Sequence, residues 1–341
     1  MKVARLYDAT DIRFEDEPIP TVGPGEALIR TRACGICSGD VMGWYMKKKA
    51  PLVFGHEPSG EVVEVGPGVT DFRPGDRVFV HHHAPCFTCR ACQRGEFVQC
   101  ATWKASRIVP GGMAEYFLVP KENLSGDTIP LPADLSFADG ALIEPAACAV
   151  KSMRKSGMHA GDRVFIIGLG IMGQLHVALA RQAGAGSVIG TDFVPYRREK
   201  ALALGADVAL DPAQGTIDEQ LRQHTNGEMA EVVIVGPGSI EAMELGIRCA
   251  AKGGTVVLFT TSTPEATLPV SPYHIYFNEI SLTPSYSCGP NDTREALQLI
   301  RTGVITADKF ITHRYPFSAL HDAYRTASEA RDSIKTLVEF S

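Results

Sequence analysis

The sequence predicts an α/β protein in two parts: a β-rich barrel or sandwich, and a doubly wound parallel sheet. Three observations carry this expectation. Residues 1–150 are dense in turn signals that separate short strand-like runs. After Gly161-Asp162, buried-strand and helix patterns alternate. A glycine-rich turn joins the first strand of that second segment to its first helix.

In the first part, Gly23-Pro24-Gly25, Gly66-Pro67-Gly68, Pro74-Gly75-Asp76 and Gly111-Gly112 bound the strand candidates Ala27 to Arg30, Glu61 to Val65 and Arg77 to Val80. Short runs at this spacing fit an irregular barrel or sandwich. In the second part, Val164 to Ile167 reads as a buried strand, Gln174 to Ala183 as a helix, Val188 to Gly190 as a strand and Arg197 to Leu204 as a helix. Further on, Val232 to Val235 and Thr255 to Phe259 read as buried strands with a helix, Ile240 to Ala251, between them. The last fifty residues mix a helix, Thr293 to Arg301, with strand-like pieces at 314–317 and 335–340, so the tail is expected to rejoin the first part. The expected domains are therefore residues 1–150 with 287–341, and residues 151–286.

A chain of 341 residues is long enough for about two domains with separate cores. Its 45% hydrophobic and 21% charged content is that of an ordinary globular protein, which excludes a disordered or fibrous reading. The formal charge of -6 argues against nucleic acid as the main partner, and Lys47-Lys48-Lys49 is the only dense basic run. No secretory signal is visible at Met1 to Glu15, and the longest uncharged stretch, Val164 to Ala180, is too short for a membrane span. A cytoplasmic protein is expected. The cytosol keeps thiols reduced, so nine cysteines point to metal ligation rather than disulfides.

Gly168-Leu169-Gly170-Ile171-Met172-Gly173 follows a predicted strand and opens a predicted helix. In such a turn the first glycine permits the tight bend, the second lets the backbone approach a pyrophosphate, and the third allows close packing of helix on strand. Asp192 ends the next strand, where a carboxylate accepts from the adenosine ribose hydroxyls and repels a 2′-phosphate. NAD is therefore expected over NADP, with Arg197 and Arg198 weakening the preference.

Cys86, Cys89, Cys92 and Cys100 form C-x2-C-x2-C-x7-C within the loop 86–100. Steps this small let one chain wrap tetrahedrally around a zinc ion, and four thiolates leave no open position, so the site is structural. An iron–sulfur cluster is the main rival for four cysteines. A second constellation is dispersed. Cys37, the adjacent pair His56-Glu57, and Glu144 in an apolar setting offer one thiolate, one imidazole and two carboxylates, a set that suits a catalytic zinc.

Together these motifs resemble the zinc-dependent medium-chain alcohol and polyol dehydrogenases, especially the sorbitol-dehydrogenase-like members. The resemblance rests on Gly55-His56-Glu57-Pro58-Ser59-Gly60 with Gly66 and Val69, on the four-cysteine loop, on Gly168 to Gly173 and on Asp192, and it covers essentially the whole chain. It implies a GroES-like catalytic domain, completed by the C-terminal segment, around an inserted Rossmann domain. It also implies two zinc ions per chain, NAD, and a homodimer or homotetramer. Cys37 and His56 then ligate the catalytic zinc, Glu57 is an adjacent ligand or exchanges with water, and Glu144 takes the third-ligand position.

Glutamate at that position points toward polyols or other secondary alcohols, oxidised to ketones by hydride transfer. An aldehyde or thiol-adduct dehydrogenase would use the same parts, and a non-catalytic NAD- and zinc-binding protein is the reading from another class. One departure stands out. After Cys37 the family has a hydroxyl residue and a histidine that pass the alcohol proton to solvent. Gly39 and Met42 stand there instead, with Ser38 one place early and Asp40 retained. The usual relay is absent, and Glu144 or Glu57 is expected to take the proton. Trp44, Tyr45 and the lysines after them, and His81-His82-His83, are further candidates near the site.

Overall fold

The computed structural model describes residues 1–341. The chain divides into two compact units, Met1–Ala147 with Cys288–Ser341, and Cys148–Ser287. No helix is long and apolar enough to cross a membrane.

The first unit is built on a seven-stranded sheet. Its order is Ile311–Pro316, Lys335–Glu339, Ala27–Gly35, Pro58–Val65, Arg77–Val80 and Thr128–Pro130, with Tyr116–Val119 also pairing with Ala27–Gly35. The long strand Ala27–Gly35 is the organising element, because it pairs antiparallel with three others. Alternate residues along these strands, Ala27 and Ile29, Val78 and Val80, Phe117 and Val119, point into one apolar cluster with Val62. The C-terminal strand registers Leu337 opposite Gly35 and Val338 opposite Cys34, which draws the tail against the segment that carries Cys37. A smaller sheet pairs Lys2–Asp8 with Asp11–Asp16 and Leu52–Val53.

The second unit is a six-stranded, wholly parallel sheet in the order Val208–Leu210, Ser187–Thr191, Arg163–Ile167, Ala230–Val235, Ala250–Leu258 and Ser281–Pro284. The order reverses beside the first strand, the switch point at which doubly wound sheets bind dinucleotides. Both faces are covered. Phe165 and Ile167 enter one apolar cluster, and Val164 and Ile166 enter the other. A strand buried on both faces reads as a continuous apolar run, which is why Val164 to Ile167 is recognisable in the sequence. The helix expected over Ile240 to Ala251 ends at Arg248. Ala250 instead begins the next strand, opposite Ala230, because pairing with a sheet partner overrides the strong helical propensity of alanine.

His176 is buried in the helix Ile171–Gln182, with Nδ1 2.6 Å from the Met172 carbonyl and Nε2 against the Ser152 hydroxyl. Burial, only partly offset by the Met172 carbonyl, pushes its pKa down to about 4. The unfolded chain therefore binds a proton below about pH 6.5 that the folded chain refuses until near pH 4. Stability is expected to fall by up to about 3 kcal/mol as pH drops through that window. Denaturant titrations of the unmutated protein and of His176→Asn at pH 7 and pH 4.5 check this, since the variant loses that part of the slope.

Candidate active site and metal centres

The glycine turn sits where its chemistry requires. Gly168 has φ +86°, a left-handed conformation that favours glycine. A Cβ on Gly173 would lie 2.1 Å from the Gly168 carbonyl oxygen, so only glycine lets the helix pack this close to the strand. Gly170 is different: a Cβ there would meet nothing nearer than the Arg197 guanidinium at 4.0 Å. Crowding within the chain does not explain this second glycine, whereas the approach of a pyrophosphate does. Leu169 and Ile171 are buried on either side of it, and Ile171 and Met172 open the helix.

Asp192 follows the strand Ser187–Thr191 and is buried. Its Oδ2 accepts from the Leu169 N–H at 2.8 Å and its Oδ1 from the Val194 N–H at 2.9 Å, so it braces the glycine turn. Arg197 Nη1 lies 3.4 Å from Oδ2. A carboxylate has about four lone-pair sites, so acceptor capacity is left for a ribose. Arg198 is engaged with Asp211 and the Asp192 carbonyl.

The four cysteines of the loop 86–100 converge, with all sulfurs within 4.8 Å of one another. No disulfide links any of the nine cysteines. The backbone N–H groups of Cys86 and Cys89 donate to Cys100 Sγ and Cys86 Sγ, both at 3.4 Å. Hydrogen bonds from Thr88, reinforced by the Cys89 N–H, pull the Cys86 thiol down to about 5, while burial pushes Cys92 up to about 12. Four thiolates in this volume would need a cation, and a tetrahedral zinc ion would meet that need. The remaining packing of the loop is small, centred on Val98 and Trp103.

The dispersed constellation is assembled in the first unit. Cys37, His56 and Glu57 bring ligand atoms within 4.8 Å of one another. Asp40 holds two of them in place: its Oδ2 accepts the Cys37 N–H at 3.1 Å, and its Oδ1 lies 3.4 Å from His56 Nδ1. Tyr324 donates to the Asp40 carbonyl at 3.0 Å and fixes that segment in turn. Burial alone lowers the His56 pKa, but Asp40 and Cys37 outweigh it and favour positive charge at this point. The donor set thus suits a cation.

Glu144 is buried in the first turn of the helix Ile143–Ser156. It groups within 4.8 Å of His81 and His82 rather than with Cys37 and His56. The two sets meet through His56 and His82, whose ring centroids are 4.9 Å apart.

Several site residues were not assigned from the sequence. Lys335, in the C-terminal strand, is buried and ion-paired with Glu57, and its Nζ donates to the Ile36 carbonyl at 2.9 Å. Burial alone lowers the Lys335 pKa, yet the Glu57 carboxylate outweighs it and holds the ammonium above its ordinary value. No sequence signal marks this pair, since the partners lie at opposite ends of the chain. His81, flagged but unassigned, binds Asp127 through Nδ1 at 2.8 Å and faces Cys288 Sγ through Nε2 at 3.6 Å. Of the relay positions, Gly39 donates its N–H to Cys37 Sγ at 3.3 Å and Ser38 is exposed. Lys48 and Lys49 lie over the rings of Trp44 and Tyr45 at 5.3 and 4.0 Å.

A parallel sheet with a phosphate-accommodating glycine turn, a tetrathiol loop and a thiol–imidazole–carboxylate cluster define a zinc-dependent oxidoreductase that uses a nicotinamide dinucleotide. Comparison with known proteins agrees. Residues 23–132 match the alcohol dehydrogenase GroES-like domain, and residues 172–302 match the zinc-binding dehydrogenase domain. The chain is 32% identical to L-galactonate-5-dehydrogenase of Escherichia coli strain K12, covering 100% of this chain and 99% of that protein. It is 30% identical to sorbitol dehydrogenase of Gallus gallus, covering 98% and 95%. A Sinorhizobium meliloti 1021 protein whose structure was solved with NADP bound has a TM-score of 0.88 and 32% identity, covering 99% of this chain and 98% of that one. The chain belongs to the zinc-dependent medium-chain alcohol and polyol dehydrogenase family, with the GroES-like and Rossmann architecture expected from its motifs.

Proposed function

We propose that the protein oxidises a secondary hydroxyl of a polyol or sugar-derived alcohol to a ketone, reversibly, with NAD as the preferred acceptor. The observation that carries this is a buried Glu144 that groups with His82, whose ring packs on His56 of the Cys37, His56 and Glu57 cluster, in a chain whose full-length relatives are named for galactonate and sorbitol. Zinc at that cluster supplies a Lewis acid that lowers the alcohol pKa, and the dinucleotide supplies the hydride acceptor. Cys37, His56 and Glu144 are the residues that would hold the metal, with Glu57 adjacent. Asp40 lies against the His56 ring at Nδ1, so Nε2 would be the nitrogen offered to a metal. Glu144, or Glu57 despite its ion pair with Lys335, is the carboxylate that would take the proton, because Gly39 and Met42 offer no relay. Cys86, Cys89, Cys92 and Cys100 hold the structural zinc.

A screen of polyols, aldonates and simple secondary alcohols, followed by NADH absorbance, tests the reading. Turnover of polyols or aldonates above simple primary alcohols is expected. Equal or better turnover of ethanol would overturn it.

The cofactor preference follows from charge. Asp192→Ser removes the carboxylate that repels a 2′-phosphate while Arg197 and Arg198 stay. The ratio of kcat/KM for NADP to that for NAD is expected to rise by about tenfold or more, roughly 1.4 kcal/mol of relieved repulsion. Equal use of both cofactors by the unmutated enzyme would contradict this role.

The protein is read as cytoplasmic, where thiols stay reduced and can serve as metal ligands. A homodimer or homotetramer is supported by the exposed Tyr273, Tyr276 and Phe277, which precede the edge strand Ser281–Pro284 of the parallel sheet.

A further inference from the structure

We propose that His82 is a fourth protein ligand of the catalytic metal ion, alongside Cys37, His56 and Glu144. The inference rests on the metal-site reading above and extends it to a residue that the family resemblance did not assign. A run of three histidines follows the strand Arg77–Val80. The two outer rings are committed to structure. His81 is held between Asp127 and Cys288 with no side-chain exposure, and His83 Nδ1 lies 2.7 Å from the Ser106 carbonyl and packs on Trp103.

His82 differs. Its Nδ1 is buried and has no hydrogen-bond partner. A buried polar atom left in that state costs about 1–3 kcal/mol, so a chain that keeps one at a reactive site has a use for the ring. One ring nitrogen of His82 lies within 4.8 Å of a Glu144 carboxylate oxygen, close enough for a small side-chain movement to bring both onto one ion. On its other side, the His82 and His56 centroids are 4.9 Å apart, with the ring planes tilted by 54°. Two imidazoles bound to one tetrahedral ion, with Zn–N bonds of about 2.0–2.1 Å, place their centroids about 5 Å apart. The observed separation therefore leaves room for one ion between the two rings. His82 also joins two donor groups that the structure otherwise keeps apart, Cys37 with His56 and Glu57 on one side and Glu144 on the other. Four protein donors would close the resting site, so a substrate oxygen would have to add to them or replace one.

The test is cobalt substitution of the holoenzyme, which reports ligand number and type through visible absorption without relying on turnover. His82→Phe keeps the ring bulk and His82→Gly opens a gap. Both variants are expected to change the cobalt spectrum of the catalytic site and to weaken zinc binding there by at least about tenfold. Added imidazole should restore the original spectrum in His82→Gly. Cobalt-loaded Cys37→Ala supplies the spectrum of the cysteine loop alone. If Cys37→Ala removes the catalytic-site bands while His82→Phe matches the unmutated protein in spectrum and zinc affinity, His82 is not a ligand and the present inference fails. If Cys37→Ala also leaves the spectrum unchanged, the underlying metal-site reading fails with it.

Discussion

Cys37→Ala is expected to release one of two zinc ions per chain and to cut turnover by about a thousandfold or more. A Lewis acid acting on the reacting oxygen contributes several kcal/mol, and about 4 kcal/mol corresponds to a factor of about a thousand. The loss should fall on turnover and metal content together, leaving the cysteine loop loaded. Cys34 is the control. It lies three residues away and is fully buried, its thiol is pushed up mainly by that burial, and it faces the Gly35 carbonyl at 3.6 Å. Cys34→Ala is therefore expected to keep both ions. Metal analysis of the two variants with parallel NADH-formation assays checks the pair, and equal zinc loss in both would contradict the ligand assignment.

The second large effect is on stability. Lys335→Met should destabilise the protein by about 3–5 kcal/mol, because it strands the Glu57 carboxylate in a buried setting. The double variant Lys335→Met with Glu57→Gln should recover part of that loss, since the uncompensated charge is then gone. Equilibrium denaturation of the single and double variants measures the coupling. Additive effects would mean that the ion pair is incidental. Gly35 belongs to the same arrangement, since a Cβ there would lie 1.8 Å from the Glu57 carboxylate.

What the sequence reveals about this protein depends on how local each feature is. The glycine turn and the tetrathiol loop are written in single short segments, so spacing and immediate context narrow their chemistry, with an iron–sulfur cluster left as the rival to zinc at the cysteines. The parallel sheet is legible because a strand covered on both faces must be apolar throughout, as Val164 to Ile167 is. Asp192 was visible as an acid at a strand end, but not as a brace for the Leu169 N–H, because that contact exists only once the strand and turn are side by side.

The dispersed cluster was legible only in part. Cys37 and His56 reach one another through the sheet that pairs Ala27–Gly35 with Pro58–Val65, a register that no local pattern encodes. Lys335 arrives by the pairing of the C-terminal strand with the same central strand, so nothing near Glu57 in the sequence announces it. His81, His82 and His83 look alike as a run, and their separate tasks emerge only when Asp127, Cys288 and Ser106 are in place.

The claim on which the rest depends is that a divalent ion is bound by Cys37 and His56. A crystal of the zinc-loaded protein, with anomalous data collected on either side of the zinc absorption edge, tests it directly. Two anomalous peaks per chain are expected, one inside the Cys86, Cys89, Cys92 and Cys100 loop and one against Cys37 Sγ and the His56 ring. A single peak, at the cysteine loop alone, would contradict it.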